Sequence, residues 1–281
     1  EWVEHRHWEI STVLPPIQTG PVVLKAEGLD HSGWILIDGS VAAEWSGSLV
    51  RHSFDLTEEL ADGQSHQLSI VFDTPPEEQG QIGFTSRTKH FKPRYNFSWD
   101  WCPRLVPIGV SDRLELQIGA LDYVIGRLYT RLAEDDRTGT LELDIECFQP
   151  TEIVFQNQKR SLPAGEHQLQ IEAQIEPWQP NGNGEPVLYD LAINDHITKV
   201  GFKRVQWLPC QDAPEGAEPW ICEVNGKPTF LQGVNWTPLK MDYHGVAREQ
   251  YAQMINLYKE MGCNILRVWG GAFIEREDFY E

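Results

Sequence analysis

"GWILIDGSVAAEW", residues 33–45, reads as two strands joined at Asp38-Gly39. That dipeptide suits a two-residue hairpin, because glycine tolerates the positive φ such a turn requires. The same grammar extends outward on both sides. "PVVLKAEGLD" precedes the hairpin, and "LVRHSFDL", "HQLSIVFD" and "DRLELQIG" follow it. Their spacing is that of an all-β sandwich, and helix signals are nearly absent from Pro21 to Ile118.

A second set of strands starts after about Gly119. "TGTLELDIECF" places Leu141, Leu143, Ile145 and Cys147 on one face at period two. "EHQLQIEAQI" does the same with Leu169, Ile171, Ala173 and Ile175. With "VLYDLAIN" and "TKVGFKRVQW" this makes a small immunoglobulin-like sandwich. The Pro/Gly/Glu-rich "PCQDAPEGAEP", from Pro209 to Pro219, reads as a linker.

Beyond the linker the pattern changes. "WICEVNGKPTFLQGVNW" reads as two strands around an Asn225-Gly226 turn. "AREQYAQMINLYKEMG" is an amphipathic helix with Tyr251, Met254, Ile255, Tyr258 and Met261 at helical spacing and Gly262 at the C-cap position. "NILRVWGG" then supplies a buried strand that ends in functional side chains and glycine. Strand, helix, strand is a βαβ unit, which needs a larger parallel sheet to cover it.

Bulk properties narrow the function. The 281 residues carry 23 Lys+Arg against 42 Asp+Glu, a formal charge of −19, which repels nucleic acid and anionic lipid. With 41% hydrophobic residues and no apolar run near ~20 residues, a soluble chain without a membrane span is expected. Eleven tryptophans fit either sandwich cores or stacking on the apolar face of a sugar. The five cysteines, Cys102, Cys147, Cys210, Cys222 and Cys263, form no C-x-x-C pair, so neither a disulfide framework nor structural zinc is expected. The odd set favours the cytoplasm, and the N-terminus carries no signal-peptide pattern. No cofactor is implied.

"FSWDWCP" places Asp100 between Trp99 and Trp101, beside a stiffening proline. Such a carboxylate can accept hydrogen bonds from sugar hydroxyls, or it can cap backbone N–H groups in a rigid loop. "FLQGVNW" ends in Asn235-Trp236, and "NILRVWGG" presents Arg267 and Trp269. Together, W-D-W-x-P, W-x-P-x-G-x-G-x-P-x-L-Y-D-L, G-F-K-R, V-N-G-K-P-x-F-L-x-G-x-N-W-x-P and N-I-L-R-V-W-G-G, in this order, resemble the β-mannosidase branch of glycoside hydrolase family 2.

The resemblance implies a mainly β fold: a jelly-roll sugar-binding domain over 1–119 and an immunoglobulin-like β-sandwich over 120–207. Residues 208–281 would hold a linker and the first βαβ portion of a truncated (β/α)8 barrel. It implies a retaining exo-acting hydrolase that removes β-linked mannose from non-reducing ends with two glutamates. The family's acid/base glutamate follows an asparagine, and this sequence contains no Asn-Glu dipeptide. The chain is therefore expected to be a piece of a larger enzyme, clipped at both ends, without catalytic residues of its own and inactive alone. By resemblance, Trp99, Asp100, Arg267 and Trp269 bind a β-mannoside, with Asn235 and Trp236 as further candidates. Cys102 and Ala272 stand where the family usually has glycine. Glu275 and Glu277 are expected at a helix start, where acidic residues favour the macrodipole. Other specificities of the same family (β-glucosaminidase, β-galactosidase, β-glucuronidase) and a free-standing carbohydrate-binding module remain alternatives.

Overall fold

Alternating burial turns the predicted strands into two sandwiches. A computed structural model describes residues 2–80 and 84–281. The chain divides into two compact units: Glu1–Ala120 with Asn235–Asn256 and Arg267–Glu281, and Leu121–Val234 with Leu257–Leu266. The segment 208–281 is shared between the two.

In the first unit, a four-stranded antiparallel sheet runs in the order Trp8–Leu14, His66–Phe72, Ser32–Ile37, Ser40–Ser46. A three-stranded antiparallel sheet, His52–Asp55, Val22–Ala26, Leu114–Ile118, forms beside it. Val22 and Leu24 from one sheet and Ile35, Ile70 and Phe72 from the other share one buried cluster. Asp38 and Gly39 take φ of 48° and 82°, as the hairpin reading requires. The edge strand Trp8–Leu14 reads WEISTVL, yet its side chains do not alternate in burial: all but Leu14 are exposed. It is held by backbone pairing with His66–Phe72, and Val13 remains 71% exposed.

In the second unit, Tyr123–Leu132, Thr138–Cys147 and Gly165–Gln174 form one sheet, and Gln158–Leu162, Thr151–Phe155, Tyr189–Ile193 and His196–Val200 the other. Leu141, Leu143, Ile145 and Cys147 are all buried, as period two demands. They meet Ile153, Phe155, Leu191 and Phe202 in one core. Interior space there is tight, since a methyl group on Gly139 would meet the Phe202 ring at 2.7 Å.

The "WQPNGNG" loop has a structural task in this unit. Asn181 Nδ2 donates to the carbonyls of Lys259 and Cys263 at 2.9 and 3.0 Å, which serves the C-terminus of the helix Arg248–Glu260. Gly262 closes that helix at φ 83°, and the Cys263 N–H reaches back to the Tyr258 carbonyl at 3.0 Å. Asn225-Gly226 forms the expected turn, with φ of 49° and 72°.

The strands Gly233–Trp236 and Ile265–Val268 flank the helix in sequence and pair with each other. Asn264 N bonds Gln232 O and Trp269 N bonds Trp236 O, a rising correspondence that marks parallel pairing. Of the helix positions expected to face a core, only Tyr251 is buried; Met261 is 64% exposed. Leu257 and Ile265 also stay exposed, so this segment carries apolar surface that neither sandwich covers. No helix among the described residues is long and apolar enough to cross a membrane.

Candidate functional site

All six candidate residues lie in the first unit. Their frame is a buried polar network that sequence reasoning missed. Asp30 and Lys92 are fully buried and paired, with Nζ 2.6 Å from Oδ1. Lys92 also donates to the Pro107 carbonyl at 2.8 Å. Tyr243 OH donates to Asp30 Oδ2 at 3.0 Å, and His244 Nε2 lies 3.1 Å from the same oxygen. Burial opposes the Asp30 charge, but Lys92 and His244 outweigh it and hold the carboxyl at about 2. Asn96 Nδ2 adds a bond to the Met241 carbonyl at 3.0 Å. The loop from Lys92 to Pro107 is thus tied down at both ends and again at Asn96.

The W-D-W tip stands on this base. A bridge between Phe97 and Arg104 closes the loop, Trp99 N donates to Cys102 O at 3.1 Å, and Ser98 is driven to φ 98°. That geometry leaves Asp100 exposed at the turn. Its carboxylate has no hydrogen-bond partner among the described residues, so it does not cap the loop. Cys102 points inward and donates its S–H to the Tyr95 carbonyl at 3.2 Å; burial pushes its thiol up.

An aromatic wall rises beside the tip. The Trp99 and Trp269 rings are 5.6 Å apart at 59°, and Trp101 meets Trp269 edge-on at 6.2 Å. Tyr95, fully buried, backs the wall against Trp101, Trp269 and Phe273. The Arg94 guanidinium sits 5.4 Å from the centre of the Trp99 ring. Gly271 explains part of the G-G pair: a Cβ there would meet the Trp269 ring at 2.3 Å. Only glycine lets the indole lie over this backbone.

The other candidates separate. Arg267 Nη1 donates to Asn235 Oδ1 at 3.2 Å, and both residues are exposed at neighbouring strand ends. Trp236 is 1% exposed and offers no ring face to a ligand. Its indole N–H donates to Glu275 Oε1 at 2.7 Å, and Tyr251 OH donates to Oε2 at 2.8 Å. Glu275 is therefore not a helix-start residue favoured by the macrodipole. It is a buried acceptor before the helix Glu277–Tyr280, and burial raises its carboxyl above the usual range against the pull of these bonds. Glu277 does occupy the first turn.

Two cavities, of about 370 and 530 Å³, adjoin Tyr243 with Phe273 and Arg104 with His244, respectively. Neither is lined by Trp99, Asp100, Arg267 or Trp269. No group of His, Cys, Asp and Glu among the described residues could hold a metal ion. Paired indole rings beside an exposed carboxylate are chemistry suited to a neutral polyhydroxylated ligand.

Residues 1–112, which hold most of the first sandwich, match the family described as glycosyl hydrolase 2 galactose-binding domain-like. Over its whole length the chain is similar to β-mannosidase B of Aspergillus flavus, at 24% identity and 38% of that protein's length. The solved β-D-mannosidase of Dictyoglomus thermophilum matches all of the chain and 39% of its own, with TM-score 0.82 and 26% identity. An exo-chitosanase of Amycolatopsis orientalis shares the fold, at TM-score 0.67 and 17% identity over 98% of this chain and 34% of its own. The chain thus spans well under half the length of these relatives. It is similar throughout to the N-terminal part of family-two β-mannosidases.

Proposed function

We propose that this chain supplies the non-catalytic side of the sugar site in a retaining, exo-acting β-mannosidase that removes β-linked mannose from non-reducing ends. Its three segments, 1–119, 120–207 and 208–281, would serve as sugar-binding domain, spacer sandwich and the start of the catalytic barrel. The observation that carries the reading is Asp100: an exposed carboxylate without a hydrogen-bond partner, next to the paired Trp99 and Trp269 rings. Asp100 would accept bonds from sugar hydroxyls while the indoles pack on the apolar face of the ring. Arg267, held by Asn235, would contribute donors from the strand end. The apolar surface around Leu257 and Ile265 suits a segment built to be covered by further barrel elements.

Titration of the 15N-labelled chain with methyl β-mannoside tests the site. The Trp99, Trp101 and Trp269 indole resonances are expected to move together. Asp100→Ala should weaken the titration by about ten- to hundredfold, since each charge-assisted bond is worth ~1.5–3 kcal/mol. An unchanged titration in a folded Asp100→Ala variant would remove Asp100 from the site.

Hydrolysis is a separate matter. The chain should turn over no aryl β-mannopyranoside, because neither glutamate of the two-carboxylate mechanism is identified in it. Turnover that co-purifies with the chain through successive columns would contradict this.

A further inference from the structure

Trp236 and Trp269 are linked by more than strand pairing. The Trp236 carbonyl accepts the Trp269 N–H at 2.9 Å, and the Trp236 indole donates to Glu275 at 2.7 Å. One buried residue therefore holds both ends of the segment 269–275. Between those ends lie Gly270 and Gly271, which would otherwise leave the backbone free to reorient. Tyr251 OH, from the helix Arg248–Glu260, fills the second oxygen of Glu275 at 2.8 Å. The carboxylate is 5% exposed and joins the strand end, the helix and the loop at one point. The segment carries Trp269, at its held end, against Trp99, and Phe273 against Tyr243 at 4.8 Å.

We propose that Glu275 is a positioning residue, which with Trp236 forms a clasp that fixes the Trp269 segment and so sets the aromatic wall. Its consequence for sugar binding rests on the function proposed above; its structural action does not. Glu275→Ala leaves two buried donors without an acceptor, whereas Glu275→Gln keeps one oxygen to receive the Trp236 indole. Trp236→Phe keeps an aromatic ring, removes the N–H and vacates part of the buried indole volume.

The test reads the tryptophan indole 1H–15N resonances of the 281-residue chain, with folding checked by thermal melting. Glu275→Ala and Trp236→Phe should each shift the Trp269 and Trp99 resonances, and Glu275→Gln should restore them toward wild type. The double variant Glu275→Ala/Trp236→Phe should add little, because both changes open the same clasp. Methyl β-mannoside affinity should fall roughly two- to tenfold in Glu275→Ala through loss of ring alignment. A variant that melts earlier with Trp269 and Trp99 unmoved would reduce Glu275 to a stabilising residue and overturn the proposal. Should Glu275→Ala fail to fold, Trp236→Phe and Glu275→Gln carry the same comparison. A wild-type chain that binds no mannoside, with the Trp269 shifts still present, would sink the sugar-site reading and leave the clasp intact.

Discussion

Lys92→Met is expected to destabilise the first sandwich by ~3–5 kcal/mol, the cost of leaving a buried charge without its partner. Melting should drop by roughly 6–20 °C for a domain of this size. The reason is that Asp30 and Lys92 have no access to water and satisfy each other at 2.6 Å. Removing the ammonium leaves the Asp30 carboxylate facing Tyr243 and His244 alone, and leaves the Pro107 carbonyl without its donor. Asp30→Asn in the Lys92→Met background should recover much of the loss, because a neutral amide no longer needs a cation.

The same pair fixes the direction of acid sensitivity. The folded Asp30 carboxyl, at about 2, lies below its unfolded value near 3.8, so its contribution is present above about pH 4. It is lost as pH falls from there through 2. The gap corresponds to ~2–3 kcal/mol. Urea unfolding at pH 7, 4 and 2.5 should show the wild type and Lys92→Met converging as the solution becomes acidic. A Lys92→Met variant that melts with wild type at pH 7 would show that the pair contributes nothing.

Phe155→Ala should cost the second sandwich ~3–5 kcal/mol. Phe155 is fully buried between Phe202 at 5.9 Å and Tyr189 at 6.3 Å. Its surroundings have little slack to fill the void, since each sheet is fixed by its own strand pairing and Phe202 already packs closely over Gly139. Phe155→Leu, which keeps most of the volume, should lose less than half as much. Amide exchange should place the damage in Thr151–Phe155 and Tyr189–Ile193. Protection of those strands unchanged in Phe155→Ala would mean that this core is not what holds them.

Elements with local rules were legible in the sequence. Alternation over Leu141, Leu143 and Ile145 located a strand, because side chains point to opposite faces in turn. Asp38-Gly39 and Asn225-Gly226 located turns, because few residues accept positive φ. The strand Trp8–Leu14 is held by backbone pairing at a sheet edge, and its apolar residues Trp8, Ile10 and Val13 stay exposed, so no buried face marks it. In the site, the W-D-W tip and Trp269 were visible as residue types, and the structure brings Trp99 and Trp269 together. Tyr95, which backs that wall, sits outside the quoted motifs and looked like any other loop tyrosine.

The sequence alone determined the two β-sandwiches, the strand–helix–strand that follows them, and the order of motifs resembling family-two β-mannosidases. These follow from patterns a few residues long, where backbone preference and face alternation act. Only the tertiary structure decided which polar and aromatic residues stay exposed and which are buried in the frame. Asp30 meets Lys92 and Tyr243, 62 and 213 residues away, and Trp236 turns inward to Glu275, 39 residues on. No local pattern encodes those meetings. A carboxylate stays exposed at Asp100, is an ion-pair partner at Asp30 and accepts two buried hydrogen bonds at Glu275 because of what the fold packs around it.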